Sequence, residues 1–132
     1  MKENDIRRKN LESIKKNIKA YPIDFLNLLE NKNDNLDISL EVIETKSKKY
    51  SAKVFKDGKS IFLHSAYEPE KEANALIKEV EEDTDLIFIF GIGAGYLINA
   101  VKKLNVNMAV IEPSIKFFNL LIDNFKLDKI LE

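Results

Sequence analysis

Asp85-Leu86-Ile87-Phe88-Ile89-Phe90-Gly91-Ile92-Gly93-Ala94-Gly95-Tyr96, continued by Leu97-Ile98-Asn99-Ala100-Val101, is the stretch whose reading decides the fold. An unbroken apolar run of strand length meets three glycines at alternate positions, then apolar residues at helical spacing. That order predicts strand, tight turn and helix, the opening of a Rossmann-like βαβ unit. Glycines at such a turn remove Cβ atoms where the chain reverses, and they let amide N–H groups approach a ligand at the positive end of the helix.

The unit predicts an acid at the end of its next strand. Asn107-Met108-Ala109-Val110-Ile111 is a second short apolar strand, and Glu112 closes it 21 residues after Gly91. An acid at this distance takes a ribose hydroxyl in dinucleotide sites. The glycine pattern departs from that form, because Tyr96 stands where G-x-G-x-x-G would place its last glycine. G-x-G-x-G with a strand-terminal acid looks more like the first motif of S-adenosylmethionine-dependent methyltransferases. Gly91, Gly93, Gly95 and Glu112 are therefore the candidate ligand-binding residues, for S-adenosylmethionine or a nucleotide. In the competing reading the glycines only permit close strand-to-helix packing.

Outward from this unit, Pro113-Ser114 offers Ser114 as an N-cap for a helix whose apolar face is Ile115, Phe118, Leu121, Ile122 and Phe125. Leu127-Asp128-Lys129-Ile130-Leu131 reads as the approach to a further element. Two parallel strands are fewer than a free-standing Rossmann domain uses, so the sheet is expected to be completed by other strands of this chain or by chain beyond Glu132.

Upstream, Glu68-Pro69-Glu70-Lys71-Glu72-Ala73 crowds acids and a proline into a first turn, predicting a helix from about Glu68 to Glu82. Residues 36–64 alternate apolar and polar around Ile38, Leu40, Val42, Ala52, Val54, Ile61 and Leu63. This pattern predicts a three-stranded antiparallel meander with turns at 46–49 and 56–59, the second a hairpin on Asp57-Gly58. Asn31-Lys32-Asn33-Asp34-Asn35 is a polar linker. Before it, Leu11, Ile14, Ile18, Tyr21, Phe25 and Leu28 recur every three or four residues. They predict an amphipathic helix broken near Tyr21 by Pro22 and a second short helix to Glu30. That stripe could also serve as a docking face for a second copy of the chain.

The class is thus α/β with α+β elements, in three segments of one domain: helices over 1–33, a meander over 34–66, and a partial Rossmann-like βαβα unit over 67–132. The chain of 132 residues carries 21 basic and 22 acidic side chains, a net charge of −1, which gives no electrostatic argument for nucleic acid or an acidic membrane. It lacks cysteine, so neither disulfides nor thiolate metal sites are available. Nor does any apolar run reach the roughly 18 residues of a membrane span, and a cytoplasmic chain is expected. His64, the only histidine, lacks a second imidazole to share a metal. Residues 64 and 65 would point to opposite faces of a strand, so His64 is expected to make a hydrogen bond at the strand end rather than activate Ser65.

Phe62-Leu63-His64-Ser65-Ala66-Tyr67-Glu68-Pro69 with Glu72-Ala73, then Gly91-Ile92-Gly93-Ala94-Gly95-Tyr96, then Val110-Ile111-Glu112-Pro113-Ser114, resemble the N-terminal domain of the motility accessory factor family of flagellin glycosyltransferases. The resemblance extends from the Asn10-Leu11 helix onward. It departs at Ala94, where many relatives carry leucine. It implies a larger bacterial protein in which another domain transfers a nonulosonic acid from a CMP-activated donor to Ser or Thr of flagellin. This chain would be the Rossmann-like, non-catalytic module, and the resemblance places no catalytic residue on it.

Overall fold

The structure, a computed structural model, describes residues 2–30 and 37–131. Helix α1 spans Lys2–Lys16, a 3₁₀ turn follows at Ile18–Ala20, and α2 spans Phe25–Glu30. Strands β1 (Ile38–Glu44), β2 (Tyr50–Lys56) and β3 (Lys59–Phe62) come next, then α3 (Pro69–Ile77). The remainder is β4 (Leu86–Phe90), α4 (Tyr96–Lys102), β5 (Asn107–Ile111), α5 (Ile115–Asn124) and the short α6 (Asp128–Leu131). An α/β class describes it. The polar linker read at 31–35 lies outside the described residues.

The break before α2 follows from Pro22, which has no N–H to continue a helix. Of the stripe, Ile14 and Phe25 are buried, Leu11 and Tyr21 are half-buried, and Ile18 and Leu28 are exposed; Leu29, not Leu28, fills the core. A helix restarted at Phe25 is rotated relative to α1, so a period carried across the break misplaces its last contact. Ile14 sits in the core, on a helix that packs against α5 and α6, while Ile18 and Leu28 of the same stripe remain exposed.

The meander forms as its alternation predicts, antiparallel from Ile38↔Lys56 to Glu44↔Tyr50 and from Lys53↔Phe62 to Lys56↔Lys59. Asp57 (φ 52°) and Gly58 (φ 76°) both take the left-handed conformation that a two-residue hairpin turn requires. The expected joining of this meander to the parallel strands is not found. β4 and β5 form a separate two-stranded parallel sheet, from Leu86↔Asn107 to Phe90↔Ile111. The meander instead lays β1 against α5 and buries Ala52 in the common core; its contribution is a face, not an edge.

Helix α3 stops at Ile77, five residues before the expected end. Glu79, Glu81, Glu82 and Asp83 place negative charge at the negative end of the helix dipole. Glu79 and Val80 N–H groups turn back to the carbonyls of Leu76 and Ile77, each at 3.2 Å, tightening the last turn. Residues 128–131 form α6, and its Leu131, with Leu127 just before it, closes the core.

One buried amide holds the two chain ends together. Asn10 on α1 donates through Nδ2 to the carbonyls of Ile122 (2.8 Å) and Phe125 (2.7 Å), and its Oδ1 accepts from Leu127 N–H (2.8 Å). It thereby satisfies carbonyls that the end of α5 leaves open. Ser114 caps the other end of α5 as expected, accepting from Phe117 N–H at 3.1 Å. Leu121 and Ile122 between these caps are fully buried, each worth about 1.5–3 kcal/mol of apolar transfer.

Candidate functional site

The site is built where β4 turns into α4. Gly91 extends the parallel ladder, donating to Ile111 O at 2.7 Å, and the chain then reverses with positive φ at Gly91, Gly93 and Gly95. Side chains of this same protein fill the concavity. The Glu112 carboxylate accepts from Ile92 N–H at 3.2 Å through Oε2 and from Ser114 N–H at 3.3 Å through Oε1. His64 Nε2 accepts from Ala94 N–H at 2.9 Å. A Cβ on Gly93 would stand 2.7 Å from His64 Nε2, and one on Gly95 would fall on Ile130 Cδ1. The second and third glycines make room for an imidazole and for α6, respectively.

His64 is held from several sides. β3 ends at Phe62, so His64 lies in the bend after it, and its own N–H donates to the buried Ser51 Oγ at 3.1 Å. Lys46 and Ser47 N–H groups bond to the carbonyls of Ala66 and Tyr67, pinning the bend to the first hairpin turn. Glu72, in the first turn of α3, accepts from Ser65 N–H at 3.1 Å and places Oε1 3.6 Å from His64 Nδ1. Tyr96 meets the imidazole edge-on at 5.2 Å and donates its hydroxyl to Tyr50 O.

With Nε2 accepting from an amide, the ring proton of the neutral imidazole sits on Nδ1, facing Glu72. Burial lowers the His64 pKa below its ordinary 6.5, against the opposing pull of Glu72. An acid-oriented histidine of this kind would activate a nucleophile if one faced Nε2. A backbone N–H faces it instead, so the pair latches the loop. Ser65 is directed elsewhere, its Oγ accepting from Tyr67 and Glu68 N–H, each at 3.2 Å.

Beside the loop lies a cavity of about 500 Å³, bounded by the 3₁₀ turn, β5, Ile98 and Lys102 of α4, the start of α5, and α6. Ile92 and Glu112 reach its wall; Gly91, Gly93 and Gly95 do not. The structure thus gathers the four candidate residues around one loop and puts the carboxylate alone on the cavity. His64 as a partner of Ala94 could not be read from local pattern, since the contact spans 30 residues. Its trace in the sequence is a solitary imidazole in the bend before a proline-started helix. Among the described residues no group of His, Asp or Glu could hold a metal ion, and no helix is long and apolar enough to cross a membrane.

No family model, curated protein or solved structure matches this chain.

Proposed function

We propose that this chain is a non-catalytic module of a motility accessory factor-like protein, which glycosylates flagellin through a part outside these residues. One observation carries the reading. The three stretches that bear the resemblance meet at one place: His64 lies on Gly93 and Ala94, and Glu112 lies on Ile92. Residues distant in sequence and tied to one another in this way form a self-supporting joint. The acid–imidazole pair available for chemistry is consumed in it, and the amides of Ile92 and Ala94 that could have met a phosphate are bonded internally.

The test has two arms. In bacteria from which the gene is deleted, intact-mass spectrometry of flagellin finds the protein lighter by its nonulosonic acid residues, and the full gene restores the mass. The purified chain, incubated with flagellin and a CMP-activated nonulosonic acid, leaves the mass unchanged. Normal flagellin mass in the deletion strain sinks the flagellin assignment, and sugar transfer by the purified chain sinks the non-catalytic one.

A further inference from the structure

The cavity beside the glycine turn presents an asymmetric surface. Most of its lining is apolar, including Ile98, Met108, Val110, Ile115 and Phe118, with the stacked rings of Tyr21 and Phe25 at 5.0 Å on one side. Glu112 is the one carboxylate among the lining residues. Its size is within the range of cavities that enclose small ligands, and a mostly apolar wall with few polar groups is their usual composition.

The polar side of this wall is restrictive. A carboxylate offers about four lone-pair positions and no donor. Ile92 N–H takes one on Oε2 and Ser114 N–H one on Oε1, which fixes the group and leaves one acceptor on each oxygen. Two adjacent acceptors match two O–H donors on neighbouring carbons. The amides that could cradle a phosphate are taken, Ala94 N–H by His64 and Ile92 N–H by Glu112, and Lys102 Nζ already gives two of its three hydrogens to the carbonyls of Lys129 (2.9 Å) and Ile130 (3.3 Å). An anion would also meet the Glu112 charge at close range.

We infer that this cavity binds a nucleoside without phosphates, its flat base among the apolar side chains and its ribose 2′,3′-diol on the two oxygens of Glu112. This narrows the sequence expectation of a ribose acceptor at residue 112, moving the ligand from the glycine amides to the cavity wall. It is independent of the flagellin reading.

The experiment is amide NMR titration of the full chain with adenosine, 2′,3′-dideoxyadenosine, AMP and ribose. Adenosine shifts the resonances of Ile92, Ile98 and Ser114. Dideoxyadenosine and AMP bind at least about tenfold more weakly, the worth of a charge-assisted hydrogen bond, and ribose alone binds too weakly to titrate. Glu112→Gln weakens adenosine by a similar factor. Absence of shifts with adenosine overturns the site, and equal binding of dideoxyadenosine overturns the diol contact. AMP binding as tightly as adenosine overturns the exclusion of phosphate. The ligand series uses the unmodified protein, so it decides the matter even where the Glu112 variant fails to fold.

Discussion

Ala94 donates its N–H to His64 Nε2 at 2.9 Å across 30 residues of chain, directly over the α-carbon of Gly93. The glycine at position 93 is therefore explained by the imidazole as much as by the turn. Gly93→Ala would add a Cβ 2.7 Å from Nε2 and 2.9 Å from Cε1 while forcing a side chain into φ +55°. The left-handed conformation costs about 1–2 kcal/mol and the overlap about 1–3 kcal/mol more. His64→Ala leaves the Ala94 amide without its acceptor, at about 1–3 kcal/mol. In the double variant the overlap is gone, so urea unfolding gives a loss smaller than the sum. Strict additivity would show that the ring and residue 93 do not touch.

The same contact makes the loop sensitive to acid. Protonated His64 would carry a hydrogen on Nε2, donor facing donor at Ala94. The groups around the ring are Glu72 from α3, which favours the charged form, the Tyr96 ring from α4, and Ser51 from β2, whose hydroxyl takes the His64 backbone N–H. Burial outweighs Glu72, and the folded pKa lies below 6.5. The unfolded chain then binds the proton more readily, and stability present above pH 6.5 is lost as pH falls through the folded value. Melting temperature measured across that interval declines for the wild type, and the decline is shallower for His64→Gln. Because this is the only imidazole, its NMR titration is unambiguous; a midpoint at or above 6.5 would contradict the burial argument.

Leu86, Phe88, Phe90 and Ile111 share one side of the parallel sheet and remain exposed, Phe88 at 59% and Phe90 at 77%. Ile89, between those phenylalanines, is 3% exposed and faces the core. The alternation predicts opposite outcomes at neighbouring positions. Phe90→Ser changes unfolding free energy by no more than about 0.5 kcal/mol and lowers binding of a hydrophobic dye. Ile89→Ala costs about 2–5 kcal/mol. Equal losses at the two sites in chemical denaturation would mean that the outer face is covered.

What the sequence disclosed was local. The strand–turn–helix at 86–102, the Asp57-Gly58 hairpin and the Ser114 cap each depend on residues within a few positions of one another, where φ preference, periodicity and capping act. Periodicity identifies an apolar face without identifying what covers it. Hence the stripe from Leu11 to Leu28 reads as one face when Ile14 packs inside the chain and Ile18 stays exposed, and the meander could be expected to complete the parallel sheet when the two sheets remain apart. Of the candidate site, the glycines and Glu112 were marked by spacing, but the residues that occupy them, His64 and Ile130, come from distant segments. Asn10 left a faint trace, an amide beside Leu11 and one turn before Ile14 where the stripe would otherwise be apolar.

That amide gives the sharpest stability prediction. Asn10→Leu is close in size and preserves the apolar character of the neighbourhood, yet it removes both donors to Ile122 O and Phe125 O and the acceptor of Leu127 N–H, all in a fully buried position. Orphaning buried backbone groups costs about 1–3 kcal/mol each, not additively, so a loss of about 3 kcal/mol or more is expected in urea denaturation. Asn10→Asp keeps the acceptor for Leu127 but turns a carboxylate toward two carbonyls, and it is predicted to be at least as damaging at neutral pH and to recover as the pH falls and the acid regains a donor. The recovery separates hydrogen bonding from packing: a purely steric role for residue 10 would leave the Asp variant indifferent to pH and Asn10→Leu nearly as stable as the wild type.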